Sequence, residues 1–133
     1  MKVDIAKFEA EPQGSFHVLE QEKAERMSAK TLYIPSPLDV AKAIQDIPSG
    51  KTQTIYDLRE TIAKAHNADT ACPAKILKYW KWMAQFSDEN PTTKTPYHIP
   101  WWRVLKDNKP SRHMPGGIEN QSKILQSEGV SVK

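Results

Sequence analysis

Three helix starts lie within residues 36–86, and they constrain the fold more than anything else in the chain. Ser36 is a good N-cap, Pro37 suits the first helical position, and Asp39 completes a capping box of the looser kind. Val40, Ala43, Ile44 and Ile47 then recur at helical spacing, so a first helix runs from Pro37 to about Ile47 before "PSGK" breaks it. Thr54 caps a second helix in "TIYDLRETIAKAHN", with Ile55, Leu58 and Ile62 on one face. After the polar turn "HNADTAC", Pro73 opens a third, "PAKILKYWKWMAQF". A short capped helix, a brief turn and another helix make a helix-turn-helix pattern.

The third helix divides on a helical wheel. Ile76, Leu77, Trp80, Met83 and Ala84 gather on the side expected to face the core, and Lys75, Lys78, Tyr79, Trp82 and Phe86 fall on the other. Lysines interleaved with aromatics on an exposed face suit phosphate contact together with stacking on bases. Lys81 and Lys94 add generic phosphate contacts, which fix position without reading sequence. The plainer alternative is that the aromatics lie under the N-terminal segment and the lysines are merely solvated.

Elsewhere the pattern is weaker. Residues 1–30 are polar with scattered apolar residues and no sustained period, and read as an arm, either mobile or docked on a domain spanning 31–133. "SDENPTTKTPYH" is a polar loop, "IPWWRVL" an extended segment, "KDNKP" a turn and "SRHMPGG" another loop. "GIENQSKILQSEG" is a last helix with Ile118, Gln121, Ile124 and Leu125 inward and Gly129 just past its end.

Composition narrows the function. No apolar run approaches the length of a membrane span, so no membrane partner is expected, and the N-terminus lacks the apolar core of a secretion signal. The lone Cys72 excludes an internal disulfide and any zinc site built on several thiolates; a reduced, cytoplasmic protein is expected. The four histidines show no ligand spacing, and neither metal nor cofactor is called for. Residues 1–72 carry nine Lys/Arg against eleven Asp/Glu, whereas residues 73–133 carry ten against five. That excess turns the second half toward a polyanion or an acidic surface.

The order of pieces also resembles a known family. "IPSGKTQTIYDLRETIA", the proline-opened helix, and "IPWWRVLKDNKPSRHMPGGIENQSKILQSEGV" are similar to the C-terminal domain of the 6-O-alkylguanine-DNA alkyltransferases and the alkyltransferase-like proteins, over about residues 35–130. The resemblance implies a mostly α, winged-helix-like helix-turn-helix domain with a small extended wing, binding duplex DNA through helix 73–86.

In that family a "P-C-H-R-V" motif carries the cysteine that accepts the alkyl group from a flipped guanine. Here the motif reads Pro100, Trp101, Trp102, Arg103 and Val104. An indole cannot act as a thiolate nucleophile, so the family's transfer is closed to this chain and no catalytic residue is assigned. The alkyltransferase-like proteins also carry Trp at the cysteine position, and bind alkylated DNA without repairing it. The resemblance therefore implies a non-catalytic binder that senses alkylated or distorted bases, with a downstream repair protein as a further partner.

The sequence departs further in the base-flipping parts. The tyrosine that rotates the nucleotide's phosphate falls on Ile55, with Tyr56 one place later, able to serve only in a shifted register. The arginine that enters the base stack falls on Leu77, and the glycine pair that lets the helix pack tightly reads Trp80–Lys81. Asn90–Pro91 matches the hinge; Met114, Pro115, Gly116 and Gly117 stand in the loop that lines the alkyl-base pocket; Glu128 matches the acid of the C-terminal "EG".

Trp101 is then a pocket wall on which a base could stack, or a plug filling the dead site. The plug is favoured, because little of the flipping apparatus remains. Trp102 is expected in the core, and Arg103 either pairs with Glu128, the favoured reading, or reaches DNA. Two rivals stand beside DNA binding. One is a protein-interaction module that kept the fold and lost DNA affinity; the other is a residual alkyl acceptor using Cys72, whose thiolate a helix N-terminus would favour.

Overall fold

The structure, a computed structural model, describes residues 4–131. Six α-helices, α1 (Ile5–Glu9), α2 (Gln21–Met27), α3 (Pro37–Gln45), α4 (Ile55–Ala65), α5 (Pro73–Glu89) and α6 (Gly117–Ser127), surround short strands β1 (Ser15–Val18), β2 (Thr31–Ile34), β3 (Gln53–Thr54), β4 (Thr70–Ala71) and β5 (Val104–Leu105). The domain is mostly α, with a helix-turn-helix and a small wing.

The capping residues do what their chemistry requires. Ser36 Oγ accepts the Asp39 amide at 3.2 Å while the Asp39 carboxylate accepts the Ser36 amide at 2.9 Å. Thr54 and Asp57 repeat the exchange at 3.1 and 2.9 Å, so both helices begin with orphan amides satisfied. Asn67 takes the left-handed conformation (φ 55°) that ends α4, and Pro73 starts α5 after Cys72. α3, α4 and α5 close on one core of Val40, Ile44, Leu58, Ile62, Ile76, Trp80 and Met83.

Residues 4–30 are an integral part of this body. β2 runs antiparallel to β1 and parallel to β4, so one strand ties the N-terminal segment to the turn that launches α5. The Asp69 carboxylate in that turn accepts the amides of Lys30 and Thr31, both at 3.0 Å. Phe8 is 1% exposed, stacked on Tyr97 at 4.8 Å and edge-on to Phe86 at 5.6 Å. Gly14 passes so close to the Tyr33 hydroxyl that a Cβ there would collide with it. Of the two readings of the arm, docking is the one observed.

Three further expectations are corrected. "IPWWRVL" is not extended throughout, because Trp101–Arg103 form a 3-10 turn before the two-residue strand β5, which pairs in parallel with β3. Ile118 is about half exposed, in the first turn of α6, while Gln121 and Leu125 bury completely. Leu77 is only partly buried. The wing is the tight turn 106–109, where Asp107 and Asn108 both adopt positive φ (52° and 62°) and Lys106 and Lys109 exchange backbone hydrogen bonds.

Candidate nucleic-acid interface

α5 has a buried face and two different flanks. The flank expected to be free, with Lys75, Lys78, Tyr79, Trp82 and Phe86, lies under the N-terminal segment. Tyr79 is wholly buried and its hydroxyl donates to Glu11 Oε1 at 2.8 Å. The same oxygen meets Lys78 Nζ at 3.2 Å and Lys75 Nζ at 3.6 Å. Trp82 is partly covered: Lys7 stands 4.1 Å from its ring centroid and Lys78 4.5 Å. Phe86 is buried against Phe8.

The exposed aromatic face read from the wheel is thus corrected. A wheel assigns one face to the core and cannot see that a second element covers part of the other. The electrostatics agree. The Tyr79 hydroxyl first, and the two ammonium groups after it, hold the Glu11 carboxyl below its usual range against the effect of burial. Burial, then the bond to Glu11, raises the Tyr79 phenol.

The opposite flank is open and basic. Lys81 first, then burial, then Arg112 and Lys106 depress the pKa of exposed His113, which puts three cations within electrostatic reach of that imidazole. None of Lys81, Lys106, Lys109 or Arg112 joins an ion pair among the described residues. This patch joins α5, the wing and the loop before α6. Of its members only Lys81 stood out in the sequence as a DNA contact. Lys106 and Arg112 lie far along the chain, and only the basic excess of residues 73–133 hinted at them.

The site around Trp101 is filled rather than hollow. Trp101 is 3% exposed, edge-on to Trp102 at 5.6 Å, and its carbonyl accepts the Trp80 indole N–H at 3.1 Å. Met114 is likewise 3% exposed. Trp102 is half-buried rather than core. Its indole N–H is buried without a hydrogen-bond partner, though close enough to help keep Glu128 ionised. The Arg103 guanidinium is taken up inside the domain. It donates to both Glu128 carboxylate oxygens at 3.1 and 2.7 Å and to the Ile47 carbonyl at 2.9 Å. That pairing brings Glu128 down to about 2.

Gln121 locks the same region, accepting the Ser111 amide at 2.8 Å and donating to the carbonyls of Trp102 and Val104 at 3.1 and 2.8 Å. Buried Pro115 is held through its carbonyl by Asn120 at 2.9 Å. Gly116 has φ 74°, and a Cβ there would meet Asn120 at 2.5 Å. Tyr56 is 62% exposed at the start of α4, lining a separate hollow with Met27, Arg59 and Thr70. Cys72 is partly exposed at the start of α5 and its side chain makes no cap bond.

With this geometry in view, the comparisons are specific. A family model described as 6-O-methylguanine DNA methyltransferase, DNA binding domain, matches residues 36–130. No curated protein matches the chain.

Proposed function

From the premise that the chain belongs to the family of the 6-O-methylguanine DNA methyltransferase DNA-binding domain, we propose that it binds duplex DNA and transfers no alkyl group. The observation that carries the reading is the unpaired basic patch of Lys81, Lys106 and Arg112 about His113, beside the exposed flank of α5. Cations gathered without acidic partners attract a polyanion and release its counterions on binding. They meet phosphates, so binding carries little sequence preference.

The absence of transfer rests on Trp101 at the position of the family's acceptor cysteine, buried and bonded through its backbone to Trp80. A flipped base would have to displace that indole from the core. Sensing is therefore assigned to a distorted duplex, whose bent backbone brings more phosphates onto the patch, and less to an alkyl group held in a pocket. The protein-interaction reading loses the aromatic flank of α5 to Glu11 and Phe8. It keeps one observation, the exposed Phe16 and Val18 on β1.

The test is a titration with short fluorescent duplexes at two salt concentrations: plain, carrying one 6-O-methylguanine, and carrying a mismatch. Binding that weakens steeply with salt is expected, similar for plain and methylated DNA and tighter for the mismatch. No binding at low salt would sink the DNA reading. A mass increase after exposure to alkylated DNA, lost in Cys72→Ala, would overturn the non-catalytic part.

A further inference from the structure

We propose that Lys75, Lys78 and Tyr79 form a second phosphate site on α5, and that the chain's own Glu11 occupies it as a resident phosphate mimic. The inference rests on the DNA-binding reading above and extends it to the covered flank of the same helix.

The donors converge on one atom. Glu11 Oε1 receives the Tyr79 hydroxyl at 2.8 Å, Lys78 Nζ at 3.2 Å and Lys75 Nζ at 3.6 Å. Two ammonium groups and a hydroxyl around an anionic oxygen are the donors that a DNA phosphate oxygen takes. The tyrosine is rigidly placed, since it is wholly buried and only its hydroxyl reaches the carboxylate. The lysines are not buried: the Lys75 and Lys78 side chains are 31% and 38% exposed, against 19% for Glu11. The site sits at the surface, open to an external anion once the carboxylate turns away.

That turn does not require the N-terminal segment to unfold. Phe8 anchors α1 between Phe86 and Tyr97, whereas Glu11 lies beyond the end of α1, followed by exposed Pro12 and Gln13. Rotation of one side chain exchanges the internal anion for an external one. Lys7 meanwhile stays over Trp82, 4.1 Å from its ring centroid, as further positive charge at the same edge. The consequence is a threshold: DNA engages the open patch first and recruits Lys75 and Lys78 only where a phosphate can outcompete Glu11.

The experiment compares the full-length protein with Glu11→Gln, with Glu9→Gln as control, and with Glu11→Gln combined with Lys75→Ala and Lys78→Ala, each titrated with a plain fluorescent duplex at several salt concentrations. Glu9 is exposed on α1, makes the same change of net charge and joins neither ion pair of Lys75 and Lys78. Glu11→Gln is expected to tighten binding about three- to tenfold at low salt and to steepen the log–log salt slope by up to about one phosphate's worth, near 0.9. The triple variant should lose that gain, and Glu9→Gln should show little of it.

Equal effects of Glu11→Gln and Glu9→Gln would overturn the proposal, leaving bulk charge as the cause. Should Glu11→Gln melt well below the parent, Glu11→Asp takes its place. It keeps every charge and all three donors and only draws the carboxylate back by one methylene, and its failure to tighten binding at all would be equally decisive against the site. Tight parental binding unchanged in Glu11→Gln removes this site alone and leaves the DNA reading intact. Absence of binding by both proteins removes both.

Discussion

Both flanks of α5 present lysine, and they differ in what lies beside it. On one, Lys75 and Lys78 share a carboxylate with a buried tyrosine, and an aromatic residue of α1 fills the space behind. On the other, Lys81, Arg112 and Lys106 lie near His113, and none of the three joins an ion pair among the described residues. A count of lysines treats the flanks alike. Their availability differs because ion pairing within the chain uses up the first set and leaves the second for a partner.

The largest expected effect is on the covered flank. Phe8→Ala removes the ring that holds α1 against Phe86 and Tyr97 and should cost about 3–4 kcal/mol in denaturant unfolding. A loss below about 1 kcal/mol would mean that the segment is only loosely attached, and the contrast between the flanks would collapse. Next comes a pair of double variants read by DNA affinity. Lys81→Ala with Arg112→Ala should weaken binding about ten- to thirtyfold at low salt and lower the salt slope by nearly two phosphates, whereas Lys75→Ala with Lys78→Ala should change it less than about threefold. The reverse order would show that the covered flank is the primary contact.

The smallest effect separates the flanks by pH. The neighbouring cations hold His113 below its ordinary 6.5, so an approaching phosphate raises its pKa and binding takes up a proton. Affinity should therefore rise, by about two- to threefold, as pH falls from about 7.5 to about 5.5, and His113→Ala should flatten the profile. Glu11 is silent over that window. Its pKa is depressed below 4.5, so its contribution is fully present above 4.5 and is lost only as pH falls through the lower folded value. A pH response that survives in His113→Ala would break the assignment.

How much of this the sequence disclosed depended on distance along the chain. The caps at Ser36 and Thr54 and the proline at 73 are local signals, and α3, α4 and α5 begin where they say. The resemblance to the alkyltransferases pointed to Arg103 and Glu128, which do pair. The five-residue α1 and four-residue β1 are too short to show a period, so Phe8 gave no sign of being core. The cover over Tyr79 was open in the sequence only as an alternative, because no residue of so short an element marked where it would dock. The open patch brings residues 81, 106, 112 and 113 together only in the folded chain.

The junction at β2 also bears on the order in which the protein assembles. α3, α4 and α5 follow one another closely, but Glu11 reaches Tyr79 across a separation of 68 residues and Lys30 reaches Asp69 across 39. Closing such long loops costs chain entropy that short-range helix packing does not, so the expected sequence of events places the helical core first and the N-terminal segment last. On that order Lys75 and Lys78 meet Glu11 only when the N-terminal segment docks, so the neutralised flank is among the last features of the molecule expected to form.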